Sequence, residues 1–226
     1  MSFETSSVST TSTDTAIPSP YIKEDYDFKP RAKYTPHVGY HALKRSIDIS
    51  TALIFIILSF PIWAVICFLI KYQSKGPAII RQERAGKKGT SFMMYKFRTM
   101  HAHVPLYEKS PGGKEDPRIT PIGRLLRQSS LDELPQLINV LLGSMSLVGP
   151  RPEMFFIVQT YTHEQRKRLE VAPGLTGLWQ ISGRKDKPLT ENLYFDFYYI
   201  DNQSIVLDIK IILKTIPAVL FRRGAY

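Results

Sequence analysis

The sequence predicts an α+β fold, mainly helical, held to a membrane from one side by a proline-broken, re-entrant N-terminal helix. Three observations predict it. Residues 49–70 run for 22 positions without a charge, with Pro61 near the middle and basic residues at both ends. Residues 78–97 place Ile79-Ile80 and Phe92-Met93-Met94-Tyr95 on either side of Gly86-Lys87-Lys88-Gly89, which reads as a small β-hairpin. Residues 205–222 alternate Ile, Val, Leu and Phe with Lys210, Lys214 and Arg222, a basic amphipathic helix able to lie in a membrane interface or to pack as a core helix.

Taken in order, the chain opens with a polar leader. Ten of the first 15 residues are Ser or Thr, and Pro18, Pro20, Pro30 and Pro36 follow. Such a segment buries too little apolar surface to offset its ordering entropy, so residues 1–36 are expected to be a disordered tail. It lacks the basic and apolar regions of a signal peptide. Residues 37–75 form the membrane region. As a straight helix the uncharged run would reach ~33 Å, just enough to span a bilayer core. Pro61 removes a hydrogen bond to the Ile57 carbonyl and predicts a kink, with Ser59 placed to satisfy a freed backbone group nearby. Lys44 and Arg45 precede the run and Lys71 and Lys75 follow it, so both ends ask for the cytoplasmic side. A helix that dips in, turns at Pro61 and returns meets both demands. A kinked spanning anchor is the alternative that the run alone leaves open. Residues 76–226 are expected to form a cytoplasmic domain ending in the interfacial helix. Its helical patterns lie at about 122–128, 132–142 and 153–170, and the glycine-rich residues 173–187 read as loop.

Charge narrows the classes of function. The 226 residues carry 30 Lys and Arg against 20 Asp and Glu, a net +10. Residues 1–36 hold four basic and five acidic side chains, so the surplus belongs to the rest of the chain. A basic body implies an anionic partner: nucleic acid, an anionic membrane surface or a phosphorylated substrate. No nucleic-acid reading element is recognisable. The single cysteine excludes a disulfide framework and a cysteine-cluster zinc site.

The chemistry points to Asp132-Glu133, within Ser130-Leu131-Asp132-Glu133-Leu134-Pro135-Gln136. Pro135 must lie in the first turn of a helix, which makes Asp132 the expected N-cap and Gly143 the expected end. Capping alone would account for the acids. The arginines around them argue for more: Arg118, Arg124, Arg127 and Arg151 flank the pair, and Lys96, Arg98 and Arg184 lie in strand-end or polar contexts. Arginine matches phosphate oxygens bidentately. Two adjacent acids in such a field suggest one nucleophile toward phosphorus and one ligand for Mg²⁺, which prefers one or two carboxylates plus substrate phosphates. A non-catalytic basic module binding anionic lipid or nucleic acid is the alternative, but a pure anion binder gains nothing from two acids there.

Five strings in order carry a resemblance: Tyr95-Lys96-Phe97-Arg98-Thr99-Met100, Asp116-Pro117-Arg118-Ile119-Thr120, the Ser130 to Gln136 string, Leu147-Val148-Gly149-Pro150-Arg151-Pro152 and Pro173-Gly174-Leu175-Thr176-Gly177-Leu178-Trp179-Gln180. Over residues 43–220 the chain resembles the bacterial sugar transferases, the monotopic phosphoglycosyl transferases. The resemblance implies transfer of a sugar 1-phosphate from a nucleotide diphosphate sugar, usually a UDP-sugar, to a polyprenyl phosphate on the cytoplasmic face of the membrane, with release of UMP. Such a step initiates assembly of exopolysaccharide, O-antigen, capsule or glycoprotein glycan. It implies Asp132 as nucleophile, Glu133 as Mg²⁺ ligand, and Arg127, Arg151 and Arg184 as phosphate ligands, with Lys96 near the site and paired with Asp208. Arg98 and Arg118 join the expected substrate-binding set. The family's membrane helix breaks at an adjacent Ser-Pro pair; here Phe60 intervenes between Ser59 and Pro61. Larger relatives carry further N-terminal spans, so this chain resembles the minimal catalytic unit; a homo-oligomer is compatible with it.

Overall fold

The computed structural model describes residues 38–108, 111, 113, 115–182 and 193–220; the expected tail and Arg184 lie outside the described residues. Helix α1 is Val38–Gln73. Strands β1 (Ile79–Ala85) and β2 (Ser91–Phe97) pair antiparallel, with Ile80 opposite Lys96 and Arg84 opposite Phe92. The hairpin turns where its glycines required. Gly86 N–H donates to Thr90 O at 2.7 Å, and Gly89 adopts φ 75°, a left-handed value glycine takes at no steric cost.

Helix α2 (Pro121–Gln128) starts as the sequence dictates, with Pro121 in its first turn and the Thr120 hydroxyl accepting from Gly123 N–H at 3.0 Å. The expected 132–142 helix is corrected. Leu131–Glu133 form a 3₁₀ turn, and helix α3 runs Gln136–Leu142 with Pro135 at its N-cap. Pro135 has no N–H to return to Leu131, so the α-helical ladder cannot pass it. The segment closes with three-residue steps instead, such as Leu134 N–H to Leu131 O at 3.2 Å. Asp132 therefore caps nothing. Gly143 ends α3 as expected, at φ 88°.

Strands β3 (Ser146–Val148) and β4 (Gly174–Thr176) pair in parallel, and α5 (Leu178–Ile181) follows, so the first part of the expected 173–187 loop is structured. The glycines there permit backbone contact: a Cβ on Gly174 would lie 2.1 Å from Gly149 N. The expected 153–170 helix is also corrected. It is α4 (Phe155–Val158) and a separate 3₁₀ stretch, Gln165–Glu170. Between them Thr162 and Gln165 exchange side-chain bonds with each other's N–H groups, a local alternative to continuing the helix. Helices α6 (Leu193–Asp201) and α7 (Ile205–Leu220) complete the chain; α6 was not anticipated.

One core cluster joins Ala52 of α1 to Leu137, Val148, Trp179, Phe195 and Ile211. A second joins Ile66 and Ile70 of α1 to Ala78, Phe97 and Leu126. Both ends of α1 are thus docked on the same body. At the first end Arg45 donates to Val140 O and Leu141 O, at 2.6 and 2.8 Å, and buried Asp48 accepts from Ser146 Oγ and Leu147 N–H. At the other, Gln73 Oε1 accepts from Ile122 N–H at 3.1 Å. Between them Ile54, Phe55, Ile57, Leu58 and Phe60 are exposed. Helix α1 runs through Pro61 as one element rather than ending there as expected, and Ser59 Oγ donates to Phe55 O at 2.5 Å, not to a backbone group freed by Pro61. Helix α7 exposes Val206, Ile209, Leu213 and Ile216 beside exposed Lys210 and Lys214, the basic and apolar surface expected of it.

Candidate active site

The hairpin supplies the floor of the site. Side chains of a strand alternate between faces, so Ile80, Gln82 and Arg84 of β1 share a face with Lys96, the partner of Ile80. These four line a cavity of about 220 Å³ together with Arg127 from α2 and the loop that carries His101, Val104, Pro105 and Leu106. Gln82, 3% exposed, ties that loop down: its Nε2 donates to Leu106 O at 2.5 Å. Arg127 is fixed by its own Nε, which donates to Thr99 Oγ1 at 2.9 Å.

The acid pair sits on the 3₁₀ turn, half-buried and surrounded by these cations. Burial, and then the neighbouring Glu133 carboxylate, push the Asp132 carboxyl up to about 6; Lys96, Arg127 and Arg151 pull the other way. Burial, and then Arg84, push Lys96 down to about 8, while Asp132 raises it. Arg151 Nη2 donates to Glu133 Oε1 at 3.2 Å, a pairing that holds the guanidinium above the usual range. Arg151 reaches this place because β3 pairs with β4 directly before Gly149-Pro150-Arg151. Behind it, Arg168 Nη2 donates to Arg151 O at 2.9 Å while Arg168 Nε donates to Asp196.

The structure thus brings together Asp132, Glu133, Lys96, Arg127 and Arg151. Three other expected site residues are engaged elsewhere, although Arg98 also borders the cavity that Lys96 and Arg127 line. Arg98 is buried and spends its Nη atoms on the end of α1, donating to Lys75 O at 2.9 Å and to Ser74 O and Oγ at 2.8 Å; helix C-terminal carbonyls need such donors. Arg118 is engaged by Asp116 at 2.7 Å and Glu108 at 2.8 Å. Asp208 is neither a surface carboxylate nor the partner of Lys96. It is buried against Lys44 Nζ at 2.9 Å, Tyr40 and Tyr199, bonding α7 to α1 and α6. Sequence reasoning missed Arg84; the hairpin register, with Ile80 opposite Lys96 and Arg84 opposite Phe92, places that arginine on the Lys96 face.

A larger cavity, about 270 Å³, lies apart from the acids beside Lys44, Arg45 and Asp48. Those three groups are already bonded to Asp208, to the end of α3 and to β3, so its size does not make it the reaction site. For a divalent cation the donors present are the two adjacent carboxylates of Asp132 and Glu133. That set suits a hard ion completing its shell with substrate phosphates and water; among the described residues no cluster of three or more protein ligands forms.

Comparison with known proteins shows the family. The sequence model of the family described as bacterial sugar transferase matches residues 39–222. The chain is 41% identical to the undecaprenyl-phosphate galactose phosphotransferase of Salmonella typhimurium over 81% of its own length and 42% of the relative's, so it spans less than half of that protein. It is 38% identical to the exopolysaccharide production protein ExoY of Sinorhizobium fredii, over 81% of this chain and 88% of the relative. It is also 38% identical to the UDP-glucose:undecaprenyl-phosphate glucose-1-phosphate transferase of Caulobacter vibrioides, over 84% of this chain and 74% of the relative. The match runs from the start of α1 through α7 and takes in the acid pair and the cations around it, and on it the chain belongs to the bacterial sugar transferase family.

Proposed function

We propose that the protein transfers a sugar 1-phosphate from a UDP-sugar to a polyprenyl phosphate, through a covalent phosphosugar on Asp132. The observation that carries the reading is the half-buried Asp132-Glu133 pair set among Lys96, Arg127 and Arg151. An Asp132 oxygen attacks the sugar-bearing phosphorus, the phosphoanhydride bond breaks, and UMP leaves with the bonding electrons. An oxygen of polyprenyl phosphate then attacks the same phosphorus and releases the Asp132 carboxylate, giving a polyprenyl diphosphate sugar. Lys96, Arg127, Arg151 and, from the sequence, Arg184 hold the phosphate oxygens and offset the charge that spreads over them during transfer. Glu133, with Asp132 beside it, would hold Mg²⁺, which supplies charge neutralisation at the phosphates when bound.

The docking of both ends of α1 on one body supports a re-entrant seat. Flanks bound to the same folded unit lie on the same side of a bilayer, and their basic residues choose the cytoplasmic side. The exposed apolar middle of α1 and the basic apolar face of α7 would then enter the membrane where the lipid acceptor resides.

The test is mass spectrometry of the intact protein mixed with UDP-sugar alone. A phosphosugar adduct on the Asp132 peptide and release of one UMP per site are expected, both absent in Asp132→Asn. Turnover near the parent rate by folded Asp132→Asn, or UMP release only when the lipid acceptor is added, would overturn the covalent reading.

A further inference from the structure

Among the described residues Arg84 has one ion pair, and it is a long one. Its side chain is 13% exposed and stands in the wall of the cavity that Lys96 and Arg127 also line, within electrostatic reach of Glu133. Nη2 donates to Gln82 Oε1 at 2.7 Å and Nη1 to Pro152 O at 3.3 Å, both uncharged acceptors. Nε is buried with no partner. Among the described residues the carboxylate in ion-pair range is that of Glu153, whose Oε1 is 3.8 Å from Nη1, beyond hydrogen-bond reach. Lys96, Arg98 and Arg127 line the same cavity, and its acidic lining residue, Glu108, is itself paired with Arg118, so the cavity is positive on balance.

A nearly buried guanidinium normally has a matched carboxylate, because desolvation without compensation is costly. The Glu153 pair is long and the other acceptors are uncharged, so an anion entering the cavity can supply the close partner that the guanidinium lacks. We propose that Arg84 is a further phosphate-binding residue of this site, taking an anionic oxygen of the donor's diphosphate, and that Gln82 is the positioning residue that aims it. The proposal rests on the transferase reading for the identity of the anion. Gln82 suits its part because both ends of its buried amide are used: Oε1 fixes the Arg84 fork, and Nε2 fixes the loop that forms the facing wall. A glutamate at 82 would supply from within the carboxylate that the substrate supplies from outside.

The test is calorimetric binding of UDP and of uridine to the full chain in detergent, with a thermal midpoint for each variant. Arg84→Gln and Arg84→Lys are expected to weaken UDP about tenfold to a hundredfold, the loss of one charge-assisted contact, and to leave uridine binding unchanged. The thermal midpoint shows that each variant compared is folded. Gln82→Glu should weaken UDP by pairing Arg84 internally. UDP affinity within twofold of the parent in both Arg84 variants would overturn the proposal, as would equal losses for UDP and uridine, which would signal a distorted site. A parent chain that binds no UDP would overturn it together with the transferase reading. UDP losses as expected alongside a fully active Asp132→Asn would sink the nucleophile and leave Arg84 standing.

Discussion

Replacing Arg168 by methionine tests how the Arg151 end of the site is held. Arg168 and Asp196 are 3% and 2% exposed at their side chains, with Nε 2.6 Å from Oδ2. The same guanidinium also donates to Tyr161 OH and to Arg151 O. Methionine keeps the length and removes every donor, so Asp196 is left as a buried charge without a partner. That costs about 3–5 kcal/mol, roughly a fifth or more of the ~5–15 kcal/mol that holds a domain folded. Burial already pushes the Asp196 carboxyl up, against the pull of Arg168. Without Arg168 it rises further above its unfolded value. The folded variant then binds the proton more tightly than the unfolded chain, so its stability should recover as pH falls through the raised value and be lost as pH rises. Arg168→Met combined with Asp196→Leu removes both charges and should regain most of the loss, leaving Tyr161 OH and the Arg151 carbonyl short of a bond at ~1–3 kcal/mol. Urea denaturation in detergent can be followed through Trp179, which is buried in the same cluster as Phe195. A single variant less than about 1 kcal/mol below the parent would refute the reasoning. So would a double variant no better than the single.

Three further outcomes follow from the geometry. The kcat/KM of UMP release should rise with pH through about 6 as Asp132 ionises and fall above about 8 as Lys96 loses its proton, and a profile flat from pH 5 to 9 would remove both groups from the mechanism. With Cys67 replaced by alanine, single cysteines at exposed Leu43 and Lys75 should both resist an impermeant reagent added to intact cells, whereas labelling of one alone would establish a spanning helix. Gly149→Ala places a Cβ 2.4 Å from Ala172 O, so the β3–β4 pairing should loosen, with a loss of about 2 kcal/mol or more in denaturation and a fall in turnover through Arg151.

What the sequence made legible was local. The hairpin followed from its glycines and the end of α3 from Gly143, both positions with left-handed backbone. The acid pair and three of the cations around it followed from residue types near Pro135. What stayed hidden depends on partners distant in the chain. The glycines of residues 173–177 read as loop because their reason, a close parallel approach of β3 and β4, appears only once the two segments meet. Arg98 and Asp208 carry the same charges as site residues but are consumed in joining elements 23 and 164 positions apart. Charge type alone cannot separate a guanidinium that closes a helix end from one that awaits a phosphate. Arg84 differs from Arg98 in having no helix-end carbonyls to close and only a long ion pair to Glu153, which is a property of the fold.

The docking of α1 also sets an order of events during synthesis. Its second end can be closed early, since Arg98 follows Lys75 by 23 residues. Its first end waits for Val140 and Leu147, 95 and 99 residues beyond Arg45 and Asp48. At ~5–20 residues per second, roughly 5–20 s of elongation separate the helix from the groups that will hold it. Through that interval the apolar helix is finished, unanchored at its N-terminal end and free to be inserted across a bilayer. On the proposed re-entrant seat, insertion has to stay reversible until residue 147 has emerged. A ribosome pause or a truncation between residues 98 and 140 should yield chains trapped in the other topology.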